Sequence, residues 1–473
     1  MSISLKIRLG AIPKNLLLAF GISLMLSCSK EDDSPTNTNI TLPDPEPSES
    51  EFYGNPFTGM PEDINDLVLY EINIRAFSAD GDLDGVSARL DSIQSLGVNV
   101  IWLMPIYPVG IEKGINSPYC VRDFKAVASE YGNLEDLRNL VDAAHQRGMA
   151  VILDYVANHT AWDHPWITDH PDWYTQDASG NIVIPPGTNW QDVADLNFEV
   201  EAMQNAQIEN FKYWIREANV DGFRCDYANG VPFEFWQRAI DSLEAYHRSN
   251  LLMLAEGDRF NHLVAGFDLR FSWAAYGKLK DVFENNAPAS DLATYHQNEY
   301  NVVVGNQGIL RFTTNHDESA WDATPVQLFG SQERALAAMV ATTFLGGVPL
   351  IYSSQEVGRA STLPFFSNDP INWNANPSIL DAYQEFMAIY NQEKAARQQS
   401  LTDHSSNDVL AFTKSFNDEE LLVIVNCRDS QQIYQAPSSI TSEPWRDLRT
   451  GNASNIPPNL ILAPGAYYLF KKL

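Results

Sequence analysis

The sequence predicts an α/β protein, a (β/α)8 TIM barrel with a short insertion after its third strand and an antiparallel β-sandwich following it. The first observation is that short β-rich runs alternate with helical periodicity from residue 67 to residue 392, which is typical of βα units around a parallel sheet. The second is one long break in this alternation, at residues 157–199. The third is a change beyond residue 396 to short β runs separated by turn signals. With 473 residues, 44% of them hydrophobic, the chain is long enough for more than one domain.

Eight strands and the helices between them account for residues 61–395. The run VNVIWLM at residues 98–104 is continuously apolar, which indicates a strand buried on both faces. The helix before the third strand is followed by Gly148, where a C-cap glycine belongs. The strands are predicted at residues 67–77, 98–104, 149–155, 222–225, 251–255, 266–271, 308–314 and 348–352. The helices are predicted at residues 82–96, 133–147, 200–218, 232–246, 332–344 and 379–392.

The insertion and the C-terminal segment have different compositions. Residues 157–199 are rich in Trp, Asp, Pro and Gly and carry little predicted regular structure. An excursion of this length within a compact domain indicates a functional segment or a subdomain. In residues 396–473, β runs at 409–414, 421–426 and 467–471 predict the small antiparallel sandwich.

The first 28 residues are predicted to be an export signal, because basic residues precede an apolar run at 16–26 that is short for a membrane span. Ser27-Cys28 resembles the bacterial lipoprotein cleavage box, in which the Cys28 thiol is acylated; the alternative is a plain secretory signal. SKEDD at residues 29–33 resembles the acidic export tag of Bacteroidetes-type surface lipoproteins, and residues 29–60 are predicted to be a flexible tether. We therefore expect an outer-membrane lipoprotein exposed on the cell surface, with a periplasmic or secreted protein as the alternative.

The charge balance excludes two classes of partner. Lys and Arg number 31 against 61 Asp and Glu, a net charge of -30. Such a surface repels phosphate backbones and anionic headgroups, so we expect no nucleic acid partner and membrane contact only through the lipid on Cys28. The four cysteines show no C-x-x-C spacing, which argues against zinc and iron–sulfur centres. A neutral partner fits this surface better.

Four predicted strands end in clusters of polar side chains. A single such cluster is weak evidence, because carboxylates often lie solvated at strand ends. The carboxyl ends of the strands in a parallel barrel form one rim, however, and active sites lie there. The clusters are Asp154 with Asn158 and His159, Arg224 with Asp226, Glu256 alone, and Asn315 with His316 and Asp317.

The residue types in these clusters favour glycosidic bond cleavage. The chain has no G-x-S-x-G elbow and no phosphate-binding glycine loop on this rim, so acyl and phosphoryl transfer lack their usual groups. Glycoside hydrolysis needs one charged and one protonated carboxyl group at the same pH. Arg224 and Asp226 share one face of a strand, and we expect the guanidinium to keep that carboxylate ionised.

Six motifs make the sequence similar to the α-amylase family, glycoside hydrolase family 13. The resemblance extends from about residue 65 through the C-terminal sandwich, and it identifies residues 157–199 as the family's domain B, which is short here. The motifs are DYVANH (154–159), VADLN (193–197), GFRCD (222–226), Ala255-Glu256, TTNHD (313–317) and PLIYSSQEVG (349–358).

The resemblance implies roles for eight residues. Asp226 would be the nucleophile and Glu256 the general acid and base, while Asp317 would orient sugar hydroxyls and stabilise the transition state. Asp154 would be a buried partner of Arg224. The remaining residues would bind substrate: Tyr119, His159, Arg224 and His316.

The resemblance also bears on calcium. Asn158 and Asp195 match the family's calcium ligands, and Gly230 offers a carbonyl where many members have a histidine. Many members also have a lysine at the position of Asn229, whose absence leaves the acceptor-side specificity open. Oxygen ligands suit calcium, yet three candidates do not make a site, so the sequence leaves calcium binding open.

The function implied is a retaining, endo-acting α-amylase that cleaves α-1,4 bonds of starch or maltooligosaccharides. The alternatives within the family are a cyclomaltodextrinase or neopullulanase-like enzyme and an α-glucosidase. A different class is a catalytically dead surface glycan-binding protein, although all three family catalytic residues are present. Besides the α-glucan, a glycan-uptake complex is an expected partner.

Overall fold

Eight parallel strands close into a barrel in the computed structural model, which describes residues 51–246 and 250–473. The order around the barrel is β1-β10-β9-β8-β7-β6-β3-β2, and β4 pairs with β5 outside it. The predicted barrel is confirmed. The strands are β1 (Leu69–Ile72), β2 (Val100–Leu103), β3 (Ala150–Tyr155), β4 (His159–Ala161), β5 (Val193–Asp195), β6 (Gly222–Cys225), β7 (Leu252–Ala255), β8 (Leu269–Arg270), β9 (Gly308–Arg311) and β10 (Val348–Tyr352).

The helices cover the outside of the barrel and bury its outward-facing side chains. The longest are α6, α13, α7 and α12, and each lies where the sequence predicts a helix. In chain order the helices are α1 (Ile74–Phe77), α2 (Leu83–Ser87), α3 (Leu90–Gln94), α4 (Leu134–His145), α5 (Trp166–Asp169), α6 (Glu201–Ala218), α7 (Phe233–Tyr246), α8 (Asn261–Val264), α9 (Trp273–Phe283), α10 (Ser290–Tyr300), α11 (Pro325–Phe329), α12 (Gln332–Leu345), α13 (Pro377–Gln392) and α14 (Ser438–Thr441).

Four predicted elements differ from the observed ones, and one of them, the strand predicted at 308–314, ends at Arg311. The first strand ends at Ile72, and the residues predicted to continue it form the helical turn α1. The helix predicted at 82–96 is two short helices, α2 and α3, separated by Ala88 and Arg89. The strand predicted at 266–271 is reduced to the two residues of β8.

Alternation along the strands gives the barrel interior two zones. Leu69, Val100 and Ile152 face inward and belong to an apolar cluster that fills the lower part of the barrel. Two residues further along their strands, Glu71 and Asp154 share the same inward face. The upper interior is therefore polar.

Gly222 sets the close approach of β6 to β7. Its φ is 149°, and a Cβ atom there would lie 2.0 Å from the carbonyl oxygen of Leu252. Since β6 and β7 pair from Gly222 with Leu252 to Cys225 with Ala255, the residues that follow them emerge side by side. These residues are Asp226 and Glu256.

The predicted C-terminal antiparallel sandwich is present. Its core lies between a six-stranded sheet, ordered β11-β12-β13-β18-β15-β16, and a two-stranded sheet of β14 and β17. The opposite face of the large sheet belongs to the same apolar cluster as the barrel helices. The strands are β11 (Thr402–Asp403), β12 (Val409–Phe416), β13 (Glu419–Asn426), β14 (Gln432–Gln435), β15 (Trp445–Asp447), β16 (Ala453–Ser454), β17 (Asn459–Leu462) and β18 (Tyr467–Lys472).

The predicted tether extends too far toward the barrel. Its last ten residues, 51–60, already contact the barrel: the Tyr53 hydroxyl donates to Asp142 at 2.7 Å, and the Phe57 ring stacks on His145 at 4.4 Å. The predicted signal, Cys28 and residues 29–50 lie outside the described residues. None of the helices in the described part of the chain combines the length and apolar composition that crossing a bilayer requires. The three cysteines in that part, Cys120, Cys225 and Cys427, are buried thiols.

Candidate active site

The seven residues predicted to act in catalysis or substrate binding lie together at the carboxyl-terminal end of the barrel. Arg224 has no exposed surface and lies beneath a cleft of about 670 Å³. The other six line that cleft: Tyr119, His159, Asp226, Glu256, His316 and Asp317.

Arg224 contacts three carboxylates with one guanidinium group. Its Nη1 donates to Asp226 Oδ1 at 2.9 Å, and its Nη2 lies 3.0 Å from Glu256 Oε2. Nη1 also donates to both oxygens of Asp154, at 2.8 and 3.0 Å. Arg224 thereby holds the first two carboxyl groups on the same side of the cleft.

Asp154 is a buried partner of Arg224, as predicted. It has no exposed surface, and each of its contacts is with a hydrogen-bond donor. Trp102 Nε1 donates to Asp154 Oδ2 at 3.1 Å, and the Tyr119 hydroxyl donates to the same oxygen at 3.0 Å. These donors favour the ionised form of Asp154, against burial, which raises the pKa of this carboxyl group to about 6.

The chain turns sharply after β6 and supplies a donor to Glu256. Tyr227 has φ 42° and ψ 45°, a left-handed conformation that is uncommon for a residue with a side chain. Its backbone N–H donates to Glu256 Oε2 at 2.6 Å. The residue following Asp226 therefore fixes the carboxyl group of Glu256.

His316 joins the barrel interior to the cleft. Its Nδ1 lies 2.5 Å from Glu71 Oε1, below the cleft floor. Its Nε2 lies 2.8 Å from the Tyr119 hydroxyl and 3.4 Å from Asp317 Oδ2. The imidazole ring stacks on Tyr119 with a centroid distance of 5.2 Å.

Burial shifts the pKa values of the acids that face each other. It raises the pKa of Asp226 and of Glu256 to about 7 each, against the opposing charge of Arg224. Arg224 was expected to keep Asp226 ionised; the ion pair is present, but the effect of burial on the pKa of Asp226 outweighs it. Negative charge on Asp226 also raises the pKa of Glu256. The two groups can therefore share one proton near neutral pH, which general acid catalysis beside a charged carboxylate requires.

His159 is neutral over the same pH range, because burial lowers its pKa to about 4. The edge of its ring meets Trp190 of the insertion, with a centroid distance of 5.6 Å. Trp190 in turn contacts Tyr227 at 4.9 Å. The insertion thus forms one wall of the cleft.

The three predicted calcium ligands line a second cavity, of about 630 Å³, that shares Tyr227 with the cleft. Asn158 Nδ2 lies 3.4 Å from Asp195 Oδ1. Asn158 Oδ1 would lie 2.6 Å from a Cβ atom at Gly230, so the amide oxygen is beside that residue's backbone. The donor set fits calcium in kind, since all three donors are oxygens, but Asp195 supplies the only charge among them. The described residues hold no cluster of three or more His, Cys, Asp or Glu suited to a metal.

Several residues of the site were not predicted from the sequence. Glu71 gave a signal, as the one charged residue in the apolar run LVLYEINI. Trp321 follows Asp317 by four residues; it is 66% exposed and lines the cleft beside Phe365 and Phe366. The structural role of the Tyr227 N–H had no sequence signal.

Comparison with known proteins gives a consistent result. Residues 41–192 match the family model described as alpha amylase, catalytic domain. The chain is 27% identical over 386 residues to the alpha-amylase MalA of Haloarcula japonica, covering 76% of this chain and 55% of that protein's length. It is 36% identical over 204 residues to the trehalose synthase/amylase TreS of Mycobacterium tuberculosis, covering 36% of this chain and 33% of TreS. Among solved structures, an alpha-amylase from Lactobacillus plantarum superposes with a TM-score of 0.77 at 27% identity, covering 87% of this chain and 99% of that one.

Proposed function

Because the chain belongs to the α-amylase family of glycoside hydrolases, we propose that it is a retaining hydrolase that cleaves α-1,4-glucosidic bonds within starch or maltooligosaccharides. One observation carries the proposal: a single guanidinium bridges Asp226 and Glu256 at the floor of one cleft, with Asp317 in its wall. The aromatic residues of the cleft suit a neutral, ring-shaped ligand, and the acidic surface suits no anionic one.

In the first step, Asp226 attacks the anomeric carbon while Glu256 gives its proton to the glycosidic oxygen. The bond from that carbon to the leaving oxygen breaks as the glycosyl ester to Asp226 forms. Arg224 stabilises both carboxylates, and Asp317 stabilises the positive charge on the sugar. The leaving chain departs with a new hydroxyl group.

In the second step, Glu256 takes a proton from water, and the resulting oxygen nucleophile attacks the same carbon. The ester bond to Asp226 breaks, Asp226 returns to a carboxylate, and Glu256 is again protonated. Two inversions give net retention. Such a mechanism predicts a carboxyl separation of about 5 to 5.5 Å, against roughly 6.5 Å or more for inversion.

Reducing-sugar release from soluble starch tests the activity. We expect wild-type turnover and a loss of at least about a thousand-fold in Asp226→Asn, because the amide cannot form the ester. Asp268→Asn is the matched control, since Asp268 is another partly buried aspartate but lies before β8, at the opposite end of the barrel. Turnover in Asp226→Asn at the wild-type rate would remove that residue from its proposed role.

The products distinguish the alternatives within the family. An endo-acting α-amylase gives a ladder of maltooligosaccharides from starch, whereas an α-glucosidase releases glucose from chain ends. Preference for cyclodextrin or pullulan over starch would instead identify a cyclomaltodextrinase or a neopullulanase-like enzyme. Starch binding without bond cleavage by the wild-type protein would identify a surface glycan-binding protein.

We further propose that Asn158, Asp195 and the Gly230 carbonyl hold a calcium ion. Support comes from the three oxygen donors that line one cavity beside the cleft. A bound cation would tie the insertion to the turn after β6. Its contribution would be structural, since no step of the mechanism passes through it.

We also propose that Cys28 carries a lipid and that the protein is displayed on the outer membrane, where a glycan-uptake complex would receive its products. The export motifs support this location, and a polysaccharide too large to cross the membrane would require it. Radioactive fatty acid should label the wild-type protein in cells and fail to label Cys28→Ser. Protease added to whole cells should remove the labelled protein, whereas a periplasmic protein would be protected.

A further inference from the structure

We infer that Glu71 is a positioning residue that keeps a proton on Nε2 of His316, so that this nitrogen always donates a hydrogen bond toward the cleft. The inference rests on the proposed function, because a donor at that place matters for a bound sugar and for Asp317. Glu71 itself does not line the cleft. It would act on the reaction only through His316.

Glu71 is a buried residue in direct contact with His316. It lies on β1 with 0% exposure, and its Oε1 is 2.5 Å from His316 Nδ1. A carboxylate at this distance accepts a hydrogen bond from Nδ1 and favours the protonated ring. The inner nitrogen of His316 therefore holds a proton between the two residues.

The contacts of Tyr119 determine the direction of its hydrogen bond with Nε2 of His316, the outer nitrogen of the ring. Asp154 accepts from the donor-only groups of Arg224 and Trp102, so it is an acceptor for Tyr119 as well. The one hydrogen of the Tyr119 hydroxyl is thereby committed to Asp154. Since Tyr119 has no second hydrogen, His316 Nε2 must be the donor in the 2.8 Å contact between them.

The buried carboxylate of Glu71 lowers the stability of the fold. Its Oε2 is buried and finds no hydrogen-bond partner among the described residues. A buried carboxylate with one unsatisfied oxygen destabilises a fold, because the lost hydration is not replaced. Burial accordingly raises the pKa of Glu71, against the opposing charge of His316. An apolar residue would fit an apolar strand better, so the carboxylate is explained by what it does to His316.

The charges around His316 agree with a protonated ring. Burial by itself would lower its pKa, but Asp317 and then Glu71 outweigh burial and raise it to about 9, while Arg224 opposes the rise. Asp154 faces the same hydrogen-bonded group through Tyr119. Within the described part of the chain, the carboxylates that face the ring therefore outnumber the cation Arg224.

Glu71→Gln should change the protonation of His316 with little change of shape. The amide oxygen can still accept from Nδ1–H, but it adds no charge. As the pH rises, the neutral ring then keeps its proton on Nδ1 and leaves Nε2 bare against Tyr119 and Asp317. The donor toward the cleft is lost.

Imidazole ¹⁵N NMR of the full-length protein tests the inference without reference to activity. We expect both nitrogens of His316 to stay protonated from pH 5 to pH 8 in the wild type. In Glu71→Gln, we expect Nε2 to lose its proton within that range. A wild-type His316 that is bare at Nε2 at pH 7 would overturn the inference, even if no variant folds.

The ratio of variant to wild-type kcat/KM on a maltooligosaccharide gives the second readout, because most of the titration of Asp226 and Glu256 is common to both proteins. The charge of His316 affects the pKa of Asp226 less than burial, Arg224, Asp154 and Asp317 do. For Glu71→Gln, the ratio should be near one at pH 5 and fall about ten-fold for each pH unit above the new pKa. The control is Glu356→Gln: Glu356 is also buried with an unpartnered Oε2 in the described chain, but it accepts from Tyr70 and does not contact His316.

A flat ratio for Glu71→Gln, or an equal pH-dependent fall for Glu356→Gln, would reject the positioning role. Failure of the proposed function looks different. In that case, wild-type protein would release no sugar from any glucan, while the NMR spectra would still report the protons of His316.

Discussion

At the residue scale, the site concentrates negative charge. Two cations, Arg224 and His316, face five carboxyl groups within one set of contacts: Glu71, Asp154, Asp226, Glu256 and Asp317. Like charges held together in a buried place repel, and the protein can relieve the repulsion only by binding protons. The arrangement is suited to proton transfer, but the repulsion between the carboxylates lowers the stability of the folded protein.

Asp226→Asn should therefore stabilise the protein at alkaline pH while it abolishes turnover. The folded pKa of Asp226 is raised to about 7 from an ordinary value near 3.8, so the stability linked to its proton is complete below about pH 3.8 and is lost as the pH rises through 7. At pH 8 we expect the variant to be more stable than the wild type by about 1 to 3 kcal/mol. The difference should vanish toward pH 4.

Calorimetric melting between pH 4 and pH 8 measures this difference. Asp268→Asn is an informative comparison, because the pKa of Asp268 is also raised to about 7 but its side chain accepts a hydrogen bond from the Met253 amide at 2.8 Å. That variant loses an acceptor and should not gain as much. A lower melting temperature of Asp226→Asn at pH 8 would contradict the repulsion argument.

The sequence predicted which residues meet but not how they share charge. Motif order and strand ends were enough to bring Asp226, Glu256 and Asp317 to one cleft. Glu71 was not predicted, because its partner His316 is 245 positions away and becomes adjacent only when β1 closes the barrel. The pKa of Asp226 could not be predicted either, since it depends on burial and on Arg224 being divided among three acids.

At the element scale, short connections do most to shape the cleft. The left-handed Tyr227 turns the chain so that its N–H meets Glu256, and β4 and β5 bring Asn158 and Asp195 beside that turn. Tyr227 is a wall of both cavities. A change of order in the insertion should therefore alter the position of the Glu256 carboxyl group, through Tyr227.

Removal of calcium should lower the melting temperature of the wild type, because the cation would join the insertion to the turn after β6. Calorimetry with and without a chelator measures the change, and we expect added Ca²⁺ to reverse it. Binding linkage predicts about 2.7 kcal/mol when the free ion is at 100 times its Kd. Asp195→Asn should melt at one temperature in both conditions.

Asp192→Asn is the matched control, because Asp192 is a neighbouring, nearly buried aspartate of the insertion that lines the cleft and not the second cavity. It should keep the response to the chelator. If the wild type melts identically with and without calcium, the proposed ion site is wrong.

The boundaries of helices and strands could be predicted where the composition of the sequence changes. They were predicted wrongly where tertiary packing decides between helix and strand. The long amphipathic helices and the buried strands β2, β3 and β10 follow their hydrophobic pattern. The first strand was predicted too long because the run continues as INIRAF, yet Ile74–Phe77 turn into α1 and bury the same apolar side chains in helical form. Only the closed barrel decides between the two.

At the scale of the whole molecule, buried basic side chains join the sandwich to the barrel, and burial lowers the pKa of one of them, Lys414, to about 7. Lys414 of β12 is 1% exposed, and its Nζ donates to the carbonyls of Phe344 and Ala396 at 2.9 and 2.7 Å. Arg428 donates to the carbonyl of Val282, at the end of α9, at 2.6 Å. Cations at helix carboxyl ends are favourable because the last carbonyls there carry partial negative charge.

Lys414→Met should destabilise the protein without altering the site. Methionine fills the volume but leaves buried carbonyls without donors, which costs about 2 to 4 kcal/mol. Lys472→Met is the control, since Lys472 lies on the same sheet in partly exposed ion pairs with Glu420 and Glu443, and such pairs contribute little to stability. Denaturant unfolding measures both, and kcat/KM on starch below the transition should stay at the wild-type value in each. Equal stability of the two variants would show that the Lys414 contacts do not hold the domains together.

The architecture as a whole was the most predictable feature. Eight predicted strands alternating with helices leave a closed parallel barrel as the economical solution, and the β-rich pattern after residue 396 predicted the sandwich. What the pattern could not predict is the interface between them, because Lys414 reads as a surface residue in the strand VLAFTKSF until the barrel covers it.

Because Arg224 contacts both Asp226 and Glu256, it limits how the pH dependence of this enzyme could be engineered. Any replacement at position 224 would change the pKa values of Asp226 and Glu256 together, so neither acid could be adjusted to another working pH from that position without altering the other. Engineering the protein for another working pH should therefore begin with residues at the periphery of the cleft that contact only one of the two acids.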